Sequence, residues 1–124
     1  MTGGSVPIYG GLVLVTTRMN HILSVDEANL VARVQPGVIV ADLHKEVESR
    51  GLFYPPDPSS ASICTIGGNV AECAGGPRAV KYGVTRDYVL GLRAVLPSGN
   101  IIRTGTATAK GVAGYDLTRL IVGS

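Results

Sequence analysis

The chain has 124 residues, 45% of them hydrophobic and 16% charged, with a formal net charge of +2. This is one domain's worth of sequence, enough to bury a single core. So small a charge, without a Lys/Arg run or an aromatic-basic stripe, argues against a nucleic-acid partner.

Met1-Thr2-Gly3-Gly4-Ser5 carries no basic or apolar leader pattern, and no apolar run reaches membrane-spanning length. A cytoplasmic protein without a membrane span is therefore expected. With five Tyr, one Phe and no Trp, the core has to be built from Val, Leu, Ile and Ala, as in an ordinary α/β or α+β domain. Cys64 and Cys73 are the only cysteines, and without an export signal they read as free thiols. Cys73, on a helix following Gly68, would feel the N-terminal dipole and be mildly reactive without being catalytic.

In chain order, Gly11 to Thr16 (GLVLVT) reads as a buried strand, 17–20 as a turn, and His21 to Val25 as a second strand. Asp26 to Asn29 turns the chain again. Leu30 to Gln35 alternates as a third strand and ends at Pro36-Gly37, so a three-stranded meander is expected. From Val40 the period changes: Val40, Leu43 and Val47 fall at helical spacing, Asp42, Lys45, Glu46 and Glu48 take the solvated face, and Gly51 stands where a helix cap belongs. Leu52 to Tyr54 returns as a short strand.

Tyr54 to Gly83, YPPDPSSASICTIGGNVAECAGGPRAVKYG, is the stretch around which the rest is arranged. Pro55, Pro56 and Pro58 fix φ and remove donors, which makes an extended ramp instead of a ladder strand. At Thr65 to Asn69 the glycine pair lets backbone N–H groups approach a ligand, and Val70 to Ala74 continue as a helical turn. Five glycines fall between Gly67 and Gly83, interleaved with Arg78 and Lys81, with Glu72 the lone acid between them. Such a field suits a diphosphate cofactor, although a plain glycine-rich connection gives the same spacing. Neither G-x-G-x-x-G nor G-x-x-x-x-G-K-[ST] is present, so the Rossmann and P-loop readings lack support.

Beyond Gly83, Val89 to Leu96 reads as a strand apolar on both faces, Pro97 to Asn100 as a hairpin turn, and Ile101 to Thr104 as its return arm. Gly105 to Gly114 reads as a mobile loop. Asp116 caps a last helix, Leu117 to Val122, with Leu117, Leu120 and Ile121 inward.

Other chemistry finds little footing. His21 and His44 lack Asp or Cys at ligand spacing, which disfavours a metal site, and both read as surface residues. Ser59, Ser60 and Ser62 are outside any G-x-S-x-G elbow. Asp57, between prolines, reads as the acceptor of an Asx-type turn.

The run PPDPSS…CTIGGNVAECAGG…KYG, followed by VLGLRAVLPSGNIIRTG and GYDLTRLIVGS, resembles the FAD-binding, PCMH-type domain of the vanillyl-alcohol-oxidase flavoproteins. The nearest branch is that of glycolate oxidase FAD subunits and D-lactate or D-2-hydroxyglutarate dehydrogenases. The resemblance implies an α+β FAD-binding domain that lacks part of its N-terminal subdomain, since Gly3-Gly4-Ser5-Val6-Pro7 matches the tail of the first pyrophosphate loop. It also implies that the chain lacks the C-terminal cap domain, which in the family carries the substrate histidines, arginine and metal ligands.

By the same pattern Ile66, Gly67, Gly68 and Asn69 approach the FAD pyrophosphate and ribityl chain. Pro56 and Asp57 line the flavin, Ala74, Gly75, Gly76, Tyr82 and Gly83 close over it, and Pro36, Gly37 and Val38 meet the adenine. No catalytic residue and no metal ligand is assigned to this chain. The implied function is the cofactor half of a flavin-dependent 2-hydroxy-acid oxidoreductase, with substrate bound only in the full-length protein and self-association through cut edges. The competing reading is a structural fragment that does not bind flavin.

Overall fold

The computed structural model describes residues 6–106 and 114–124. Strands β1 (Ile22–Asp26) and β2 (Val31–Val34) pair antiparallel. Their turn is fixed by Asp26, whose carboxylate accepts the Asn29 backbone N–H at 3.0 Å and side-chain amide at 2.8 Å. Those two bonds, the side-chain one foremost, hold the Asp26 carboxyl below its ordinary value.

Helix α1 (Val40–Glu48) buries Val40, Leu43 and Val47, as its spacing predicts. It ends in a Schellman arrangement: Leu52 N–H reaches the Val47 carbonyl at 2.9 Å and Gly51 N–H the Glu48 carbonyl at 3.0 Å, with Gly51 at φ +72°. Val38 and Ile66 complete a small core with these side chains, and Ile22, Val34, Leu52, Tyr54 and Val70 pack around it.

Helix α2 (Ile66–Glu72) leads into α3 (Ala79–Tyr82) and a 3-10 turn, Thr85–Asp87. A second hairpin, β3 (Gly91–Val95) and β4 (Ile101–Gly105), is closed by Leu96 N–H to the Asn100 carbonyl at 2.9 Å. Helix α4 (Leu117–Ile121) starts at Asp116, whose carboxylate accepts the Arg119 N–H at 2.9 Å. It is pinned to β4 by the buried hydroxyl pair Thr104–Thr118, 2.8 Å apart. The architecture is mixed helix and strand, and no helix among the described residues is long and apolar enough to cross a membrane.

Several sequence expectations change here. Gly11 to Thr16 is not a ladder strand: Leu12 and Leu14 are 93% and 84% exposed, so the first sheet has two strands instead of a meander of three. A continuous apolar run makes a strand only where a partner edge accepts it, and none of the described strands pairs with this one. Leu52 to Tyr54 forms no strand. Strand β3 alternates between half-buried and exposed positions instead of being covered on both faces. In α4 Thr118 points inward, with Ile121 half-buried and the following Val122 fully buried, whereas Leu117 and Leu120 are exposed, because the hydroxyl pair with Thr104 sets which face docks. The expected loop between Gly105 and Gly114 falls largely on 107–113, outside the described residues, as does Gly3-Gly4-Ser5.

Candidate functional site

The segment 36–40 lies antiparallel to 64–67 and frames the glycine pair. Gly67 N–H donates to the Pro36 carbonyl at 2.8 Å, Ile66 N–H to the Val38 carbonyl at 2.8 Å, and Val40 N–H to the Cys64 carbonyl at 3.1 Å. Gly37, itself buried, donates to the Met19 carbonyl at 2.8 Å. Thr65 caps α2 by accepting Gly68 N–H on its hydroxyl at 3.2 Å, and its carbonyl accepts Asn69 N–H at 2.9 Å.

This corrects the expected source of anion attraction. The first N–H groups of α2 are already engaged within the chain, and the glycine pair lies inside the helix instead of ahead of it. The helix also stops at Glu72 and does not run to Ala74: Cys73 is its C-cap, left-handed at φ 50°, and so stands at the opposite end from the N-terminal dipole.

The two glycines differ in what surrounds them. A Cβ on Gly67 would come within 2.8 Å of Pro36 Cβ and 2.9 Å of its carbonyl oxygen, so close packing requires glycine there. A Cβ on Gly68 would meet only the Thr65 hydroxyl, at 3.4 Å, and the residue is exposed. Next to it Asn69 is 3% exposed, and its Nδ2 is a buried donor without a partner. An unmet buried amide costs about 1–3 kcal/mol, so an acceptor is owed at this point.

A second group of expected residues gathers around the segment that follows α2. The Asn69 carbonyl accepts Ala74 N–H at 2.9 Å, and the Ala74 carbonyl accepts both Thr85 N–H at 3.0 Å and the Thr85 hydroxyl at 2.6 Å. Gly75 packs between Ala79 and Val84. Gly76, at φ +126°, passes directly under the Asp57 carbonyl, where any Cβ would overlap it. The Tyr82 carbonyl accepts the Tyr88 hydroxyl, and Gly83 lies against the Asp87 carboxylate.

The proline ramp is held from both sides. His44 Nε2 lies 2.9 Å from the Pro56 carbonyl, and the His44 ring packs on Tyr54 at 5.7 Å, which in turn meets Tyr88 edge-on at 6.0 Å. Burial pushes the Tyr54 phenol up to about 12. Asp57 does not close an Asx turn; its carboxylate pairs with Arg78 Nε at 3.3 Å. Pro36, Gly37, Val38, Ile66, Gly67, Gly68 and Asn69 thus form one group, and Pro56, Asp57, Ala74, Gly75, Gly76, Tyr82 and Gly83 the other, joined where the Asn69 carbonyl accepts Ala74 N–H.

The profile of the FAD binding domain family matches residues 1–105. The chain belongs to that family. As a member, it is an α+β FAD-binding domain of PCMH type, and FAD is its cofactor. It is 64% identical over all 124 residues to the glycolate oxidase subunit GlcD of Bacillus subtilis and 48% identical to a D-lactate dehydrogenase of Anaerostipes hadrus. It spans 26% of the length of each. Among solved structures, alkyldihydroxyacetonephosphate synthase superposes with a TM-score of 0.71 at 31% identity, over 86% of this chain and 19% of that one.

The residues present fit FAD. The orphaned Asn69 amide supplies a buried donor, and Gly68 leaves open room beside it. His44, expected at the surface, is instead half-buried against the Pro56 carbonyl. Its place four residues after Val40 and three before Val47 sets it on the inward stripe of α1, a signal present in the sequence.

Proposed function

We propose that this domain forms the cofactor-binding part of a flavin-dependent oxidoreductase acting on a 2-hydroxy acid. The observation that carries the reading is the 64% identity, over the whole chain, with a protein named for glycolate oxidation. The D-lactate dehydrogenase relative is named for a second 2-hydroxy acid. When bound, FAD supplies the hydride acceptor at flavin N5.

The chain's own residues bind and orient. Gly68 and Asn69 approach the pyrophosphate and ribityl region, Asn69 through Nδ2, while Ile66, Gly67, Pro36, Gly37 and Val38 form the frame that fixes them, with the Gly37 region nearest the adenine. Pro56 and Asp57 line the flavin, and Ala74, Gly75, Gly76, Tyr82 and Gly83 close over it and exclude water. The groups that take the substrate's hydroxyl proton belong to the full-length protein outside these residues, so the 124 residues alone bind FAD weakly and turn over no hydroxy acid. Two free, half-exposed thiols suit a cytoplasmic setting. The bare apolar side chains of Leu12 and Leu14 favour self-association.

The test is flavin titration followed by addition of glycolate or D-lactate. Full-length protein is expected to hold FAD and to bleach its absorbance with one of these acids. Full-length protein that purifies and stays free of FAD would return the domain to a structural role.

A further inference from the structure

We propose that Arg78 is an oxyanion receptor, held ready by Asp57 and released from it when a carboxylate or phosphate enters beside Gly76. The proposal rests on the flavin-site reading only for its location. Its geometry is independent of that reading. The Arg78 guanidinium lies 5.4 Å from the centre of the Phe53 ring, and Phe53 is backed edge-on by Tyr82 at 5.6 Å. The aromatic face fixes the plane of the fork without using any of its N–H donors.

Its acidic neighbour is a poor match for that fork. Arg78 Nε stands 3.3 Å from Asp57 Oδ2 in a charge contact that does not form a hydrogen bond, and the two side chains are 43% and 32% exposed. A guanidinium has five donors and pairs best with two oxygens side by side. The Asp57 backbone is held, its carbonyl against Gly76 and its neighbours Pro56 and Pro58, so its short side chain approaches the fork from one fixed origin and meets it through Nε alone. An oxyanion that can present two oxygens to the fork outcompetes it, the more so as Lys81, over the Tyr82 ring at 4.8 Å, adds a second positive charge. So exposed a pair is also weak, and breaking it costs the fold little.

The same chemistry could come from the diphosphate of FAD or from the carboxylate of a hydroxy acid. The experiment therefore titrates inorganic pyrophosphate and, separately, glycolate into the wild-type chain, R78Q, R78K and D57N. Binding is followed by NMR shifts of the glycine amides, and thermal melting is recorded on the same samples. Wild type binds at least one of the two anions. R78Q weakens that binding by roughly tenfold, as expected for a lost charge-assisted contact, and R78K falls between because it keeps the charge and loses the fork. D57N tightens binding by roughly two- to fivefold, since the competitor is gone. These opposite signs distinguish a receptor from a clasp, because an Asp57–Arg78 pair that merely held the loop would make both R78Q and D57N weaken binding.

A response to pyrophosphate alone assigns Arg78 to the cofactor diphosphate, and a response to glycolate assigns it to the substrate carboxylate. Weaker binding in D57N, binding in R78Q equal to wild type, or no binding of either anion to wild type overturns the proposal. Failure of the flavin reading shows differently: FAD would not bind, while the pyrophosphate or glycolate response and its two signs would persist.

Discussion

Two apolar stretches of this chain look alike in composition and end differently. In α1, Val40, Leu43 and Val47 are buried and meet Val38 and Ile66, whereas in Gly11 to Thr16 Leu12 and Leu14 lie bare to solvent. The difference teaches that apolar pattern states a demand for cover and does not name the cover. Helix α1 brings its own backbone hydrogen bonds and needs only a face to pack on, which the adjoining segments 36–38 and 64–66 supply. An extended stretch needs a partner edge as well, and no described strand offers one.

The sharpest way to break this contrast is to remove a leucine from each stretch. Leu43→Ala should destabilise the domain by about 2–5 kcal/mol, and Leu12→Ala by less than about 0.5 kcal/mol, in denaturant unfolding. Equal losses would mean that Gly11 to Thr16 is covered in solution. Leu12→Ser with Leu14→Ser should likewise lower the scattering mass of the chain if these side chains drive its self-association.

Next in size is a contrast within one dipeptide. Gly67→Ala places a methyl against Pro36 and should cost about 1–3 kcal/mol, as overpacking does. Gly68→Ala has room and removes backbone freedom from a helix, so melting should be unchanged or raised by up to ~1 kcal/mol in stability, while FAD affinity falls. If FAD affinity in Gly68→Ala equals that of wild type, the cofactor does not approach at this glycine.

A smaller effect, about 1 kcal/mol, is expected for Thr65→Ala, which deletes the cap that accepts Gly68 N–H. It should lower both melting temperature and FAD affinity, unlike Gly68→Ala, which separates them.

The least effect near neutral pH concerns Tyr54. Its phenol titrates near 12 when folded against an ordinary 10.0, so folded and unfolded chains are equally protonated below pH 10 and folding feels nothing. Between pH 10 and 12 the unfolded phenol ionises first and stability falls. Tyr54→Phe should remove that part of the alkaline loss in pH-dependent melting. An unchanged slope would assign the loss to other groups.

Much of the local structure was readable because its signals are local. The proline ramp follows from fixed φ, the α1 stripe and its Gly51 cap from spacing, the Asp116 cap from side-chain chemistry, and the cofactor from the family resemblance carried by the segments between Pro55 and Ser124. What was misread depended on partners distant in sequence. Pro36 and Val38 fill the N–H groups of Gly67 and Ile66 that the glycine pair alone would leave free. Thr104 turns Thr118 inward in place of the neighbouring leucines. Arg78 takes the carboxylate of Asp57 from an expected local turn, and the Pro56 carbonyl draws His44 out of solvent.

The sequence by itself therefore determined which segments could be helix, turn or ramp, because propensity and capping act over a few residues, and its resemblance to a family along most of the chain named the cofactor. Only the tertiary structure decided which of two adjacent glycines is needed for packing and which lies open, and that Asn69 buries a donor without an acceptor. Those outcomes depend on contacts between segments tens of residues apart, and the chain must close before such contacts exist.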